Sequence, residues 1–466
     1  MGRPGGRRIA VVTPEPLTAR MAGPAIRAWH MAEALGADHE VELATTGACE
    51  RFHSRFRARH VAGDEVRALE RWCDVLVFQG GLLRDHPFLQ RSGKVLVADV
   101  YDPFHLENLE QTAGQPAAER DRTVRHHTEV LNEQLRRGDF FLCAGERQRD
   151  FWLGSLAALG RLDPANYDAD PTLRALIDVV PFGLPAGPPQ KSHPVVRGVV
   201  PGIGWDDKVI LWAGGVYNWL DPLTLVRAVD RLRHRLPEVR LFFLGLQHPN
   251  PNIPEMRVAT ELRRLAGGLG LVGTHVFFNE GWVDYESRAD YLLEADVGVS
   301  THLDHVETAY SFRSRILDYL WAGLPVVTTG GDAFGDLVEA ESLGAAVPPG
   351  DEAALERALE DLLADDRRAK ECRENVARVA PRFTWDAALE PLVAFCRDPR
   401  RAPDLAAGRA APAPPPSPLA RRGGWVAAAP RMVTATYRDG GARLVVRRAA
   451  GKVRRVLRAR GGPPPE

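Results

Sequence analysis

Cysteine is scarce and unpaired in this sequence. Five residues in 466, Cys49, Cys73, Cys143, Cys372 and Cys396, show no repeated spacing. That pattern argues against a disulfide framework or a cysteine-built metal centre and fits reduced thiols. Long apolar runs are missing too: nothing approaches the roughly 18 consecutive apolar residues that span a bilayer. The opening MGRPGGRRIAVVTPEP has too short an apolar segment for a secretory signal, so a cytoplasmic protein is expected. An excess of one charge is also lacking, the formal net charge being -1. The balance hides an asymmetry: from Arg401 onward 14 Lys/Arg stand against 3 Asp/Glu, a surplus of +11, which leaves -12 for the rest. An acidic body argues against a general nucleic-acid binder.

What is present is a soluble globular composition, 45% hydrophobic and 26% charged, long enough for two or three domains. Arg8 to Val12 (RIAVV) reads as a buried strand and Ala25 to Leu35 (AIRAWHMAEAL) as a helix. Gly23-Pro24 forms the turn between them, Pro24 being preorganised for a helix start. This is the opening of a Rossmann-like βαβ unit, which places ligands at the carboxyl ends of its strands. The G-x-G-x-x-G fingerprint is missing, so no dinucleotide is expected. Arg27, one turn into the helix, either reaches a cleft or is solvated.

Further strands read at 40–44, 75–78, 94–98 and 140–144, separated by loop or helical sequence, the rhythm of a parallel sheet. After the 94–98 strand come Asp102 and His105, candidate catalytic residues by their position at a strand end. The alternative is a turn before Pro103 and a surface histidine. A charged helix spans about 117–137, and a strand at 178–181 closes the first half. The Pro/Gly segment 183–194, GLPAGPPQKSHP, reads as a hinge. The βα rhythm then resumes. A strand at 208–213 runs into Gly214-Gly215, and Asp221-Pro222 caps a helix to about Leu236. Strands follow at 240–244 and 275–278, a short helix at 285–293 and a strand ending at Ser300.

The most informative stretch is Glu307 to Thr328, ETAYSFRSRILDYLWAGLPVVT. Ile316, Leu317, Leu320 and Trp321 repeat at helical spacing; Gly323 stops the helix, Pro325 follows, and Val326-Val327 opens a buried strand. Arg313 and Arg315 therefore stand where a loop feeds the positive end of a helix. With Ser311 and Phe312 they make an anion site suited to a diphosphate. Asp318, one turn in, is placed to accept from a ribose hydroxyl.

Trp321-Ala322-Gly323-Leu324-Pro325-Val326-Val327 resembles the end of the donor motif in family 4 glycosyltransferases, retaining enzymes whose motif is Glu-x7-Glu followed by Ala-Gly-x-Pro-Val-Val. Asp318 falls on the second acid and Tyr310 on the first, with Glu307 three residues upstream. The resemblance implies a GT-B fold: α/β, two Rossmann-like parallel-sheet domains facing each other across a cleft. Residues 1–185, completed by a helix at about 384–398, would form the acceptor side, and 186–383 the nucleotide-sugar side. It also implies sugar transfer from a UDP- or GDP-sugar, which is a substrate, to a glycan or lipid-linked acceptor, with retention and with neither metal nor cofactor. Gly23, Gly214, Gly215, Ser311, Phe312, Arg313, Arg315 and Asp318 would bind the donor, and Asp102, His105 and Arg313 would serve catalysis. Glu146, Trp282-Val283 and Asp332 are weaker cleft candidates. The chain departs from the family where an arginine and a lysine usually hold the diphosphate: Gly215 and Leu220 stand there, which leaves Arg313 and Arg315 as substitutes. A sugar-nucleotide epimerase, or a decayed member kept as a scaffold or sensor, are the rival expectations. Residues 399–466 form a Pro/Ala/Arg-rich tail, disordered at least over 399–423. Its basic amphipathic segment 443–460 is either a peripheral membrane contact or a solvated tail.

Overall fold

The computed structural model describes residues 6–408. The basic amphipathic segment 443–460, read as either a membrane contact or a solvated tail, lies outside them. The apolar strands assemble into two parallel sheets. The first comprises β1 (Arg8–Thr13), β2 (Glu40–Thr45), β3 (Arg57–His60), β4 (Val75–Phe78), β5 (Val95–Asp99), β6 (Phe140–Cys143) and β7 (Ile177–Val179). The second comprises β8 (Lys208–Trp212), β9 (Val239–Phe243), β10 (Val276–Phe278), β11 (Val297–Ser300), β12 (Val326–Thr329) and β13 (Gly344–Val347). Their orders are β3-β2-β1-β4-β5-β6-β7 and β10-β9-β8-β11-β12-β13, with every pairing parallel. Each sheet reverses its winding once, between β1 and β4 and between β8 and β11. An open α/β sheet forms its ligand crevice at that switch point. Among the described residues no helix is long and apolar enough to cross a membrane.

Most elements fall within a residue or two of where periodicity puts them. The edge strand β3 (RARH) escapes the pattern because it has no apolar run. Its Arg57 and Arg59 instead pair with Glu42 on β2, at 3.4 and 2.8 Å. The helix after Asp221 ends at Leu232 rather than near Leu236, with Asp221 capping it from Thr224 N–H at 3.0 Å. The 285–293 stretch divides into a 3-10 turn, Tyr285–Ser287, and a helix, Arg288–Leu292.

The chain passes between the two halves twice, and the passes touch. Leu184 N–H donates to Phe383 O at 2.8 Å, and Trp385 N–H donates to Leu184 O at 3.0 Å. Gly183 is required there, since a Cβ would lie 2.6 Å from the Trp385 Cα. The helix Trp385–Arg397 then packs on the first half, where Phe395 stacks on Phe140 at 4.3 Å and Arg397 pairs with Asp38 at 3.0 Å. Of the segment expected to be disordered from residue 399, residues 399–408 are ordered and the rest lies outside the described residues. Pro403–Ala406 is helical, Arg161 holds a buried Asp404, and Arg401 reaches Asp139 at 2.8 Å. Two long-range ion pairs fix a segment whose composition alone reads as linker.

Arg27 neither enters the cleft nor meets solvent. Fully buried, it grips Asp99 with two hydrogen bonds (2.7 and 2.8 Å) and donates to Val180 O (2.7 Å) and Pro181 O (2.9 Å). Gln79 donates to the same Asp99 at 2.9 Å and accepts from Thr13 at 3.0 Å. The ends of β1, β4 and β5 are thereby tied into one plate under the cleft. Removing the cation strands a buried carboxylate. Arg27→Met is therefore expected to lower unfolding stability in urea by about 3–5 kcal/mol; a loss below about 1 kcal/mol would count against this role.

Candidate active site

β8 ends at Trp212, and Ala213-Gly214-Gly215 turns out of the second sheet at its switch point. Gly214 holds φ at +84°, in the glycine-favoured left-handed region. Gly215 must lack a side chain for another reason: the Tyr217 ring lies so close that a Cβ would come within 2.7 Å of its Cζ. Among the described residues neither glycine N–H finds an acceptor. Arg315, first residue of the helix Arg315–Trp321, reaches back to this turn. Its Nη2 donates to Gly215 O at 2.8 Å, and its guanidinium lies 4.5 Å over the Trp212 ring. Nη1 is buried without a partner, and no carboxylate among the described residues pairs with this arginine. Burial pulls its pKa down to about 10, the Arg313 charge acting in the same direction. It remains a cation at neutral pH. The helix has only seven residues, so an anion here would be held chiefly by the guanidinium and the open N–H groups rather than by a helix dipole.

These groups line an open cavity of about 160 Å³ whose opposite wall is Gly23 and Ile26 of the first half. Trp282, Val283, Ser314 and Asp318 line it as well. Asp318 takes a hydrogen bond from Arg288 Nε on Oδ1 (3.0 Å), leaving Oδ2 for a ligand hydroxyl. Arg288 is itself fixed by Tyr285 O at 2.7 Å and lies 3.8 Å over the Tyr285 ring.

Acidic side chains that act on Tyr217 stand near the glycine turn. Asp102, after β5, and Glu107, on the helix Phe104–Gln111, face Glu307 on the short helix Val306–Tyr310. Burial, then the charges of Glu307 and Asp99, raise the Asp102 pKa to about 7. Glu107 is pushed well above its usual range by burial and by Asp102 and Glu307, with Arg313 opposing. Glu15, after β1, is raised by burial although Asn250 donates to it at 3.1 Å. His105 does not belong to this group. Its ring packs against Phe151 and Trp152 (centroids at 5.7 and 5.9 Å), and burial drives its pKa down to about 4, a neutral packing imidazole.

Gly23, Gly214, Gly215, Arg315, Asp318, Trp282 and Val283 thus come together in one cavity. The remaining sequence candidates stand elsewhere. Arg313 turns away from the cavity and binds Glu307 through both terminal nitrogens (2.9 and 2.7 Å), because both side chains are buried and each needs the other's charge. Ser311 donates to Thr308 O at 3.3 Å, and Phe312 packs edge-on against Phe334 at 4.8 Å. Asp332, fully buried, caps the helix Ala333–Ala340 from Gly335 N–H at 2.7 Å and lies 3.8 Å from Arg313 Nε. Glu146 pairs with Arg174 at 2.7 Å. Sequence reasoning missed Tyr217, Glu107, Glu15 and Arg288; none sits in a recognisable spacing, and only the meeting of distant loops unites them.

Residues 207–365 match the family model described as Glycosyl transferases group 1, a span that begins just before β8 and ends past the helix Glu352–Ala364. No curated protein matches the chain. Several solved structures share the architecture. Sucrose-phosphate synthase from Thermosynechococcus elongatus is 17% identical over 86% of this chain and 100% of that one, with a TM-score of 0.59. WaaG, a glycosyltransferase involved in lipopolysaccharide biosynthesis, is 17% identical over 84% and 100%, with a TM-score of 0.57. Anabaena Alr3699/HepE in complex with UDP-glucose is 15% identical over 83% and 98%, also at 0.57. The fold is GT-B.

The acidic cluster gives a pH dependence with a definite sign. A carboxyl whose folded pKa lies above its unfolded 3.8 binds the proton more tightly in the native state, so its contribution is fullest in acid and is lost as pH rises toward about 7. Asp102→Asn should therefore raise the melting temperature more at pH 8 than at pH 5. Equal shifts at both pH values in a calorimetric scan would show that Asp102 carries no such strain.

Proposed function

We propose that the chain, a glycosyltransferase by its matched domain, moves a sugar from a UDP- or GDP-linked donor onto a glycan or lipid-linked acceptor. The observation that carries this reading is Arg315: a guanidinium without a counterion, lining a cleft beside the open N–H groups of Gly214 and Gly215. A buried cation of this kind calls for an anionic ligand, and a diphosphate presents oxygens to both the guanidinium and the backbone. In this reading Asp318 accepts from the ribose through its open oxygen, Trp282 and Val283 border the base, and the sugar extends toward Asp102 and Glu107. Those carboxyl groups receive hydroxyls of the sugar or acceptor. The similarly folded Anabaena protein is held with UDP-glucose, which accords with such a donor.

The chemistry then follows from leaving-group stabilisation. The bond between the anomeric carbon and the phosphate oxygen breaks with its electron pair going to that oxygen, and the acceptor oxygen bonds the same carbon. The acceptor's proton passes to the departing phosphate. Attack from the face the phosphate leaves gives retention and needs neither a protein nucleophile nor a metal. Cytoplasmic assembly of cell-surface polysaccharide or glycolipid is the setting that suits this reaction, without a nucleic-acid partner.

Arg315→Ala should weaken UDP or GDP binding by about 10- to 100-fold, the effect of one lost charge-assisted contact. Isothermal calorimetry with each nucleotide checks it, and an unchanged dissociation constant would sink the assignment of the diphosphate to this corner.

A further inference from the structure

We infer that Tyr217 is a catalytic residue whose hydroxyl donates a hydrogen bond to the phosphate oxygen that leaves the sugar. This rests on the donor reading above and deepens it. Three observations place the side chain there. It lines the same cavity as Arg315 and Asp318, and its ring lies against Gly215, where any Cβ would come within 2.8 Å of the hydroxyl oxygen. The ring is clamped flat on Trp219, with centroids 4.8 Å apart and planes 5° from parallel, so its direction is set before a ligand arrives. The hydroxyl itself makes no hydrogen bond within the described residues, although charged groups of both signs act on it.

Those charged groups define what the hydroxyl can do. Arg315, the cation assigned to the diphosphate, draws the phenol's pKa down, while Glu107, Glu15 and Asp102 push it up. Burial first, and then these carboxylates, raise the phenol's pKa, so it keeps its proton and serves as a donor rather than as a base. As the bond from the anomeric carbon to the phosphate oxygen breaks, charge grows on that oxygen, with Arg315 and the Tyr217 hydroxyl beside it. The phenol proton stays on Tyr217 throughout, and the proton that moves is the acceptor's. A neutral donor contributes most where charge is developing, so its effect falls on turnover more than on ground-state binding.

The contact also accounts for a local departure in the chain. Gly215 occupies ground where a longer side chain would collide with the Tyr217 ring. Arg315 reaches this corner instead, across 100 residues of sequence.

The test is Tyr217→Phe in the full-length protein, which retains the ring and its stack on Trp219. UDP-glucose and GDP-glucose serve as donors with water as acceptor, and released UDP or GDP is followed. Turnover is expected to fall by about 100-fold, within the range for loss of one oxyanion donor, while the dissociation constants for UDP and GDP stay within about threefold of native. Native turnover in the Phe variant would overturn the inference and leave the donor site standing. A loss confined to binding would also overturn it, making Tyr217 an ordinary ground-state contact. If the native protein binds neither nucleotide, or releases none from either donor, the donor reading itself falls and the inference goes with it. Tyr217→Trp, which fills the space without a hydroxyl at that point, should reproduce the Phe defect; full activity in it would refute the role of the hydroxyl.

Discussion

A guanidinium held in a partly dry cleft with no carboxylate opposite it among the described residues is the constraint on which the rest of this molecule turns. Keeping Arg315 charged against burial costs free energy, and the protein lowers that cost only in part, through one carbonyl and one indole face. Its neighbour Arg313 shows the contrasting solution, a two-point pair with Glu307 that closes its charge within the fold. Two arginines separated by one serine therefore have opposite standing. One meets a carboxylate through both terminal nitrogens, its Nε alone lacking a hydrogen-bond partner, and the other meets no carboxylate among the described residues.

A cation and two open glycine N–H groups line the cavity at the strand end of the second sheet, while the raised carboxyl groups Asp102, Glu107 and Glu15 belong to the first. A substrate with an anionic end and a hydroxylated end would lie along that gradient, phosphates toward Arg315 and hydroxyls toward the acids. Tyr217 stands at the crossover, close to both sets of charge. The two halves also meet directly. Arg147 reaches Asp336 at 2.5 Å, Gln148 donates to Tyr310 O at 2.7 Å, and Asn218 donates to Gln111 at 3.0 Å. The loops that carry the cleft chemistry are thus braced against each other.

Beneath the cleft, stability and site geometry share the same residues. The Arg27–Asp99 pair fixes the ends of three strands and the turn that leads out of the first sheet. The Tyr319 hydroxyl plays the matching part in the second, accepting from Ala213 N–H at 2.9 Å and donating to Val299 O at 2.7 Å, just before the glycine turn. Gly298 is bare because that ring lies where its Cβ would be. Strand ends held this firmly let short loops present their backbone N–H groups in a fixed direction.

Sequence alone carried the two parallel sheets, since buried parallel strands demand apolar runs such as RIAVV, VLVF and KVILW, and the helices between them show their own period. It also placed the glycine turn at a strand end and Arg315 and Asp318 in the first turn of a helix, because local spacing suffices for that. It did not carry β3, whose charges are satisfied by a neighbouring strand, or the ordered 399–408 segment, whose anchors lie 243 and 262 residues away. Nor could it separate Arg313 from Arg315. Which guanidinium meets a carboxylate and which faces a cavity depends on partners that only packing brings within reach, and electrostatics in a low-dielectric cleft is decided by distance in space rather than along the chain.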